Sequence, residues 1–172
     1  MDLAQYIRDI PDFPKPGIQF KDITPLLAHA AAFQHAIDLL AERYRGRPVD
    51  TIAAAEARGF LFAAPLALAL KKPLVPLRKP GKLPYRTHAL QYDLEYGSAE
   101  LHVHVDGVVK GAKVLLVDDL LATGGTAAAT VALVRKLGGA VIGASFAVEL
   151  TFLNGRKKLP GIDVFTMIQY DK

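Results

Sequence analysis

The sequence predicts an α/β fold: a mainly parallel central sheet flanked by helices, with a small β-hairpin hood and an irregular N-terminal segment. Three observations lead to it. Residues 49–55 and 114–117 are apolar runs of strand length, each followed by a loop and then by helical periodicity, at 60–70 and 126–137. A third apolar run, 140–150, follows the second helix, and repeated strand-then-helix order implies parallel strands with helices on both faces. Between these units, the breaker-rich chain from 78 and the alternating residues 101–106 form an excursion that reads as a hairpin. At 172 residues, 51% hydrophobic and 22% charged, the chain is most simply one domain around a single core.

The elements follow in order. Residues 3–9 read as a short helix, which Pro11 ends through its fixed φ and missing N–H. Residues 11–25 carry Pro11, Pro14, Pro16, Gly17 and Pro25, so this arm is irregular but ordered. Taken alone, it reads more readily as an arm packed through Phe13, Ile18 and Phe20 than as a backbone edge presented to a ligand. Phe33, Ala36, Ile37, Leu40, Ala41 and Tyr44 recur at helical spacing, and Arg45-Gly46 ends that helix. The buried strand 49–55 then feeds the loop Glu56-Ala57-Arg58-Gly59 and a helix over 60–70. Residues 74–77 form a short strand in which Pro76 argues for a sheet edge or a strand end.

In the excursion, Leu101, Val103 and Val105 alternate with His102 and His104, a half-buried strand pattern. The two histidines share a face, but no further ligand stands at a matching spacing, which favours a solvated face over a metal site. Gly138-Gly139 closes the helix 126–137. The strand 140–150, turns at Asn154-Gly155 and Pro160-Gly161, and a strand over 163–168 complete the sheet.

Chemistry concentrates at residues 114–126, Val-Leu-Leu-Val-Asp-Asp-Leu-Leu-Ala-Thr-Gly-Gly-Thr. A helix N-terminus offers unpaired N–H groups and partial positive charge to an anion, and glycines let those amides approach it closely. Thr123 and Thr126 add hydroxyl donors, while Asp118 and Asp119 stand where acceptors for ribose hydroxyls or a divalent cation are useful. The ligand expected from this order is a ribose phosphate with Mg²⁺. Acid pairs and glycine turns also occur in ordinary strand-to-helix turns, and Arg58 by itself is either a surface residue or a two-pronged clamp for a diphosphate.

The full stretch resembles the phosphoribosyl-pyrophosphate signature of the type I phosphoribosyltransferases, in the form that serves adenine. Two further motifs stand in family order. Phe-Pro-x-Pro-Gly-x-x-Phe-x-Asp-Ile, residues 13–23, looks like the adenine-site segment, and Glu-Ala-Arg-Gly-Phe-Leu-Phe, residues 56–62, resembles the pyrophosphate loop, often associated with a strained or cis peptide. The likeness spans residues 13–159 and implies the type I phosphoribosyltransferase fold, with 11–25 as base-site segment and 79–106 as a flexible lid.

The resemblance implies transfer of 5-phosphoribosyl from phosphoribosyl pyrophosphate to adenine N9, giving AMP and pyrophosphate. It implies that Ala122, Thr123, Gly124, Gly125 and Thr126 hold the 5′-phosphate and that Asp118 and Asp119 hold the ribose hydroxyls. Glu56, Ala57, Arg58, Lys79 and Lys82 meet pyrophosphate, and Glu95 handles the purine proton. On the same resemblance adenine would stack between Phe20 and Leu120 or Leu121, its edge on backbone around Gln19 and Lys21, while Tyr85 and Tyr96 would belong to the lid. The resemblance further implies Mg²⁺ held mainly through substrate and water near Asp118 and Asp119, and a homodimeric assembly. The chain departs from the family pattern at Ala54 and Ala63, where glycine is usual or frequent, and at Gln19, where an aliphatic residue is common.

Other function classes fit less well. A net charge of +4 with scattered basic residues suits small anions better than nucleic acid, and no helix-turn-helix segment is added to the fold. Nucleotide hydrolysis lacks its G-x-x-x-x-G-K-[ST] run. There is no cysteine, and the start has no basic n-region followed by an apolar h-region. The longest apolar run, 59–70, is broken by Pro65 and falls short of the roughly 20 residues that span a bilayer. These features predict a cytoplasmic enzyme with no membrane or nucleic-acid partner.

Overall fold

The computed structural model describes residues 1–94 and 97–172. In chain order its elements are β1 (Arg8–Ile10), β2 (Phe20–Asp22), α1 (Thr24–Ala28), α2 (Ala30–Tyr44), β3 (Thr51–Ala55), α3 (Gly59–Leu70), β4 (Leu74–Leu77), β5 (Thr87–Asp93), β6 (Ser98–His104), β7 (Lys113–Leu121), α4 (Gly125–Lys136), β8 (Ala140–Leu150) and β9 (Asp163–Tyr170). Strands β4-β3-β7-β8-β9 form a five-stranded sheet in which all neighbours are parallel. The fold class is the expected one.

Strand periodicity divides the core. Ile52 and Ala54 of β3, with Leu115 and Val117 of β7, pack under α2 and α3 with Leu40, Phe62 and Leu66. Their neighbours Ala53, Ala55, Val114 and Leu116 point the other way, toward Leu133, Val134 and Val131 of α4. Pro76 is tolerated because β4 is an edge strand paired only with β3. Ala54 and Ala63 are fully buried in the core beneath α2 and α3, so the two departures from glycine place methyl groups in packed apolar space.

The hood is a hairpin of β5 and β6, registered from Thr87↔His104 to Asp93↔Ser98. Leu101 and Val103 are buried against Val75, Leu77 and Leu133, and Arg78 and His102 exchange backbone bonds of 2.9 and 2.7 Å. The base of the hood is therefore part of the core. His102 uses both ring nitrogens within the hairpin, on Thr87 Oγ1 at 2.9 Å and Glu100 Oε1 at 2.5 Å.

At the N-terminus the expected helix over 3–9 is not formed. A 3₁₀ turn spans Leu3–Tyr6, and Arg8–Ile10 instead pairs antiparallel with Phe20–Asp22. Residues 11–25 are thus partly regular, closing a small ribbon that holds Phe20. Among the described residues no helix is long and apolar enough to cross a membrane.

Candidate active site

Strand β7 carries the acid pair further than the sequence suggested. It runs to Leu121 because β8 keeps register with it, Leu120 opposite Val148 and Leu121 opposite Glu149. The turn into α4 is only residues 122–124. Gly124 has φ +80°, and a Cβ there would run into the backbone carbonyl of Gly155, so glycine is required twice over. The first amides of α4, which have no intrahelical acceptor, line a cleft of about 580 Å³ together with Thr123, Thr126, Asp118 and Asp119. Such clefts lie beyond the carboxyl ends of parallel strands, as this one does.

The loop after β3 forms the opposite wall, with Glu56, Ala57 and Arg58 in the lining and a cis Glu56–Ala57 peptide. Arg58 Nε lies 2.7 Å from Asp119 Oδ2, and its guanidinium stands 5.4 Å from the Phe20 ring. One side chain thus joins the acid pair, the loop after β3 and the N-terminal ribbon. Asp119 is only 5% exposed. Asp118 turns under α3: its Oδ1 accepts the Asp119 N–H at 2.8 Å and lies 2.7 Å from where a Gly59 Cβ would stand. Burial, reinforced by the neighbouring Asp119 charge, pushes the Asp118 carboxyl well above the ordinary carboxylate range, with Arg58 opposing.

Lys79 reaches the lining, and its N–H donates to Glu56 Oε1 at 2.6 Å. Arg78 Nε stands 3.3 Å from the same oxygen, so Glu56 fastens the start of the hood to the loop after β3. Lys82 lies outside the lining, its N–H on the Lys79 carbonyl, and so does Tyr85, which packs edge-on against His104. Gln19, Phe20 and Lys21 are also outside it, Phe20 approaching through Arg58. The Lys21 side chain is committed elsewhere, paired with Asp9 at 2.6 Å and over the Tyr170 ring. Leu120 is partly exposed whereas Leu121 is 1% exposed in the α4 core. Glu95 and Tyr96 lie outside the described residues.

Two contributors were not foreseen. Leu94 lines the cleft, and the Tyr92 hydroxyl meets Thr126 Oγ1 at 3.2 Å, tying the hood to the start of α4. The sequence signal was available: Leu90, Tyr92 and Leu94 alternate as the inner face of a strand. Among the described residues no three His, Cys, Asp or Glu side chains gather as a metal cage. A donor set of two carboxylates beside a phosphate cradle suits a cation that keeps several waters and binds largely through substrate oxygens, as Mg²⁺ does.

Helix amides beside a glycine turn can attract a phosphate, adjacent carboxylates can accept sugar hydroxyls, and an arginine from the loop after β3 reaches the second carboxylate. The class of protein so defined is the phosphoribosyltransferases. The phosphoribosyl transferase domain model matches residues 22–160. An adenine phosphoribosyltransferase from Maridesulfovibrio salexigens is 61% identical over 169 residues, covering 98% of this chain and 99% of that protein. The crystal structure of adenine phosphoribosyltransferase from Thermoanaerobacter pseudethanolicus superposes with TM-score 0.95 at 55% identity, covering 98% of each chain. That of Saccharomyces cerevisiae, complexed with adenine and an imino-altritol bisphosphate, gives TM-score 0.90 at 40% identity over 96% of each chain. The chain belongs to the adenine phosphoribosyltransferases of the type I phosphoribosyltransferase family.

Proposed function

We propose that the cleft joins adenine to phosphoribosyl pyrophosphate, releasing AMP and pyrophosphate, a purine-salvage reaction. The observation that carries this reading is the Arg58–Asp119 ion pair, 2.7 Å long, which joins the loop after β3 to the carboxyl end of β7 beside Phe20. Departure of pyrophosphate from C1 builds positive charge on the ribose, as in other glycosyl transfers, so no covalent nucleophile is needed. The work of the protein is to orient the partners, neutralise the leaving group and keep water out.

In this reading the backbone amides and hydroxyls from Ala122 to Thr126 hold the 5′-phosphate. Asp118 and Asp119 take the ribose hydroxyls and favour cationic character at the sugar. Glu56 and Ala57 shape the diphosphate wall. The η nitrogens of Arg58, with Lys79 and on hood closure Lys82, neutralise the diphosphate. Asp118 and Asp119 would hold Mg²⁺ through substrate and water, and the bound ion would supply further neutralisation of the leaving diphosphate. Phe20 stacks on adenine against Leu120, with Leu121 as floor, and the backbone near Gln19 and Lys21 meets the purine edge. A polar edge matched to adenine rejects 6-oxopurines because mismatched groups stay unpaired. Glu95 serves as acid/base for the purine proton, and the lid of residues 79–106, with Tyr85 and Tyr96, closes over the substrates while its base, at Leu101 and Val103, stays in the core.

The whole chain acts as one unit, in the cytoplasm, as a homodimer. Support for self-association comes from α3, which is apolar all round and leaves Leu61 43% and Leu68 81% exposed. The direct test is to follow AMP and pyrophosphate together. Formation of both in equal amounts, dependent on adenine and Mg²⁺, is expected, and hydrolysis of phosphoribosyl pyrophosphate without nucleotide would overturn the reading.

A further inference from the structure

Behind the turn into α4 lies a second charged cluster that the proposed chemistry does not use. Glu149, at the end of β8, is 3% exposed. Its carboxylate receives Arg156 Nε and Nη2, both at 2.6 Å, with Thr166 Oγ1 at 3.0 Å and Gln169 Nε2 at 3.1 Å. Arg156 also donates through Nη1 to the Val164 carbonyl at 3.2 Å, so the fork ties the turn Gly155–Lys158 to both β8 and β9. A buried carboxylate is costly unless its oxygens are satisfied, and a two-pronged guanidinium is the partner that fixes orientation as well as charge.

The residue next to Arg156 makes this more than a local bond. Gly155 abuts the phosphate turn from behind. A Cβ on Gly124 would collide with Gly155, 3.2 Å from its Cα, and a Cβ on Gly155 would meet the Ala122 carbonyl oxygen and Leu121 Cδ1, the latter at 2.9 Å. The two backbones pack directly against each other, beside the Leu121 side chain. Register links the same parts, since Glu149 stands opposite Leu121 in the sheet.

We propose that Glu149 and Arg156 form a clamp that seats Gly155 against residues 122–124 and thereby positions the 5′-phosphate subsite from outside the cleft. These are positioning residues and touch no substrate; the assignment rests on the phosphoribosyl-transfer reading above. The clamp holds the amides of the turn at the spacing the phosphate requires, so loosening it weakens phosphate binding without altering the base site.

The test uses the full chain and its Arg156→Ala, Arg156→Lys and Glu149→Gln variants, with steady-state kinetics, thermal melting and calorimetric titration of ribose 5-phosphate. In Arg156→Ala the KM for phosphoribosyl pyrophosphate and the Kd for ribose 5-phosphate are expected to rise together by about ten-fold, with the KM for adenine unchanged. Arg156→Lys, which keeps the charge but not the fork, falls between Ala and wild type. A lowered Tm with both phosphate parameters unmoved would overturn the clamp, since a merely structural pair gives that pattern. Should Arg156→Ala fail to fold, Glu149→Gln carries the same comparison. Failure of the wild-type chain either to turn over or to bind ribose 5-phosphate would refute the underlying reading, and the clamp with it. Normal wild-type behaviour with unshifted variants refutes the clamp alone.

Discussion

Arg58 and the acid pair do different work although they touch. The Arg58–Asp119 bridge involves a guanidinium side chain that is 46% exposed, and a pair of that kind adds at most about 1 kcal/mol to folding. Asp119→Asn is therefore expected to leave the melting temperature nearly unchanged while lowering kcat by about 100-fold, the scale for losing one charge-stabilising group. Melting and steady-state assays on the purified variant check both halves. Asp118 predicts the opposite for stability. Its folded-state pKa is raised by burial and by Asp119, so no penalty exists where both states are protonated. The penalty grows as pH rises from the unfolded value of about 4 through the folded value. Asp118→Asn removes it: the variant should melt higher than wild type at pH 8, with the gap closing toward pH 4, and with turnover lost. A carboxylate kept at a cost to stability is what a functional site requires.

At the scale of elements, the turn between β7 and α4 is held from two sides, by Gly155 behind and by Tyr92 in front. Gly124→Ala meets both a left-handed φ and the Gly155 backbone, and is expected to cost about 1–3 kcal/mol of stability and to raise the KM for phosphoribosyl pyrophosphate. Tyr92→Phe deletes only the bond to Thr126, about 1 kcal/mol, and should raise that KM by a few-fold with the KM for adenine unmoved. The strand-loop-helix units at 49–70 and 114–137 were legible in the sequence because apolar runs of strand length followed by helical periodicity are local signals. What stayed hidden was non-local. Arg8–Ile10 is a strand only because Phe20–Asp22 pairs with it, and β7 continues through its carboxylates only because β8 runs beside it. Leu94 lines the cleft and Tyr92 reaches Thr126 only once the hood docks, although their alternation with Leu90 was readable, and nothing in the sequence around Glu149 shows that the Arg156 guanidinium will pair with it.

For the whole molecule, the strand order β4-β3-β7-β8-β9 places the ends of β3 and β7 side by side, which is why their two loops share one cleft. Charge pairs at the other strands set the acid limit. Arg156 holds Glu149 below the ordinary carboxylate range, and Arg47 with Arg43 does the same for Asp163. Each contributes stability that is present above the unfolded pKa and is lost as pH falls through the folded one, so acid unfolding followed by circular dichroism should set in below about pH 4. The apolar outer face of α3 makes a second prediction at this scale: where the proposed homodimer buries it, Leu68→Asp should shift sedimentation velocity from dimer to monomer, and a wild-type monomer would contradict that proposal. The central claim is that the cleft holds the sugar while other parts of the chain select the base. It is tested by supplying phosphoribosyl pyrophosphate with adenine, hypoxanthine, guanine, xanthine and orotate in equal amounts and identifying the nucleotide formed. AMP as the dominant product is expected; IMP, GMP, XMP or orotidylate in comparable yield would refute it.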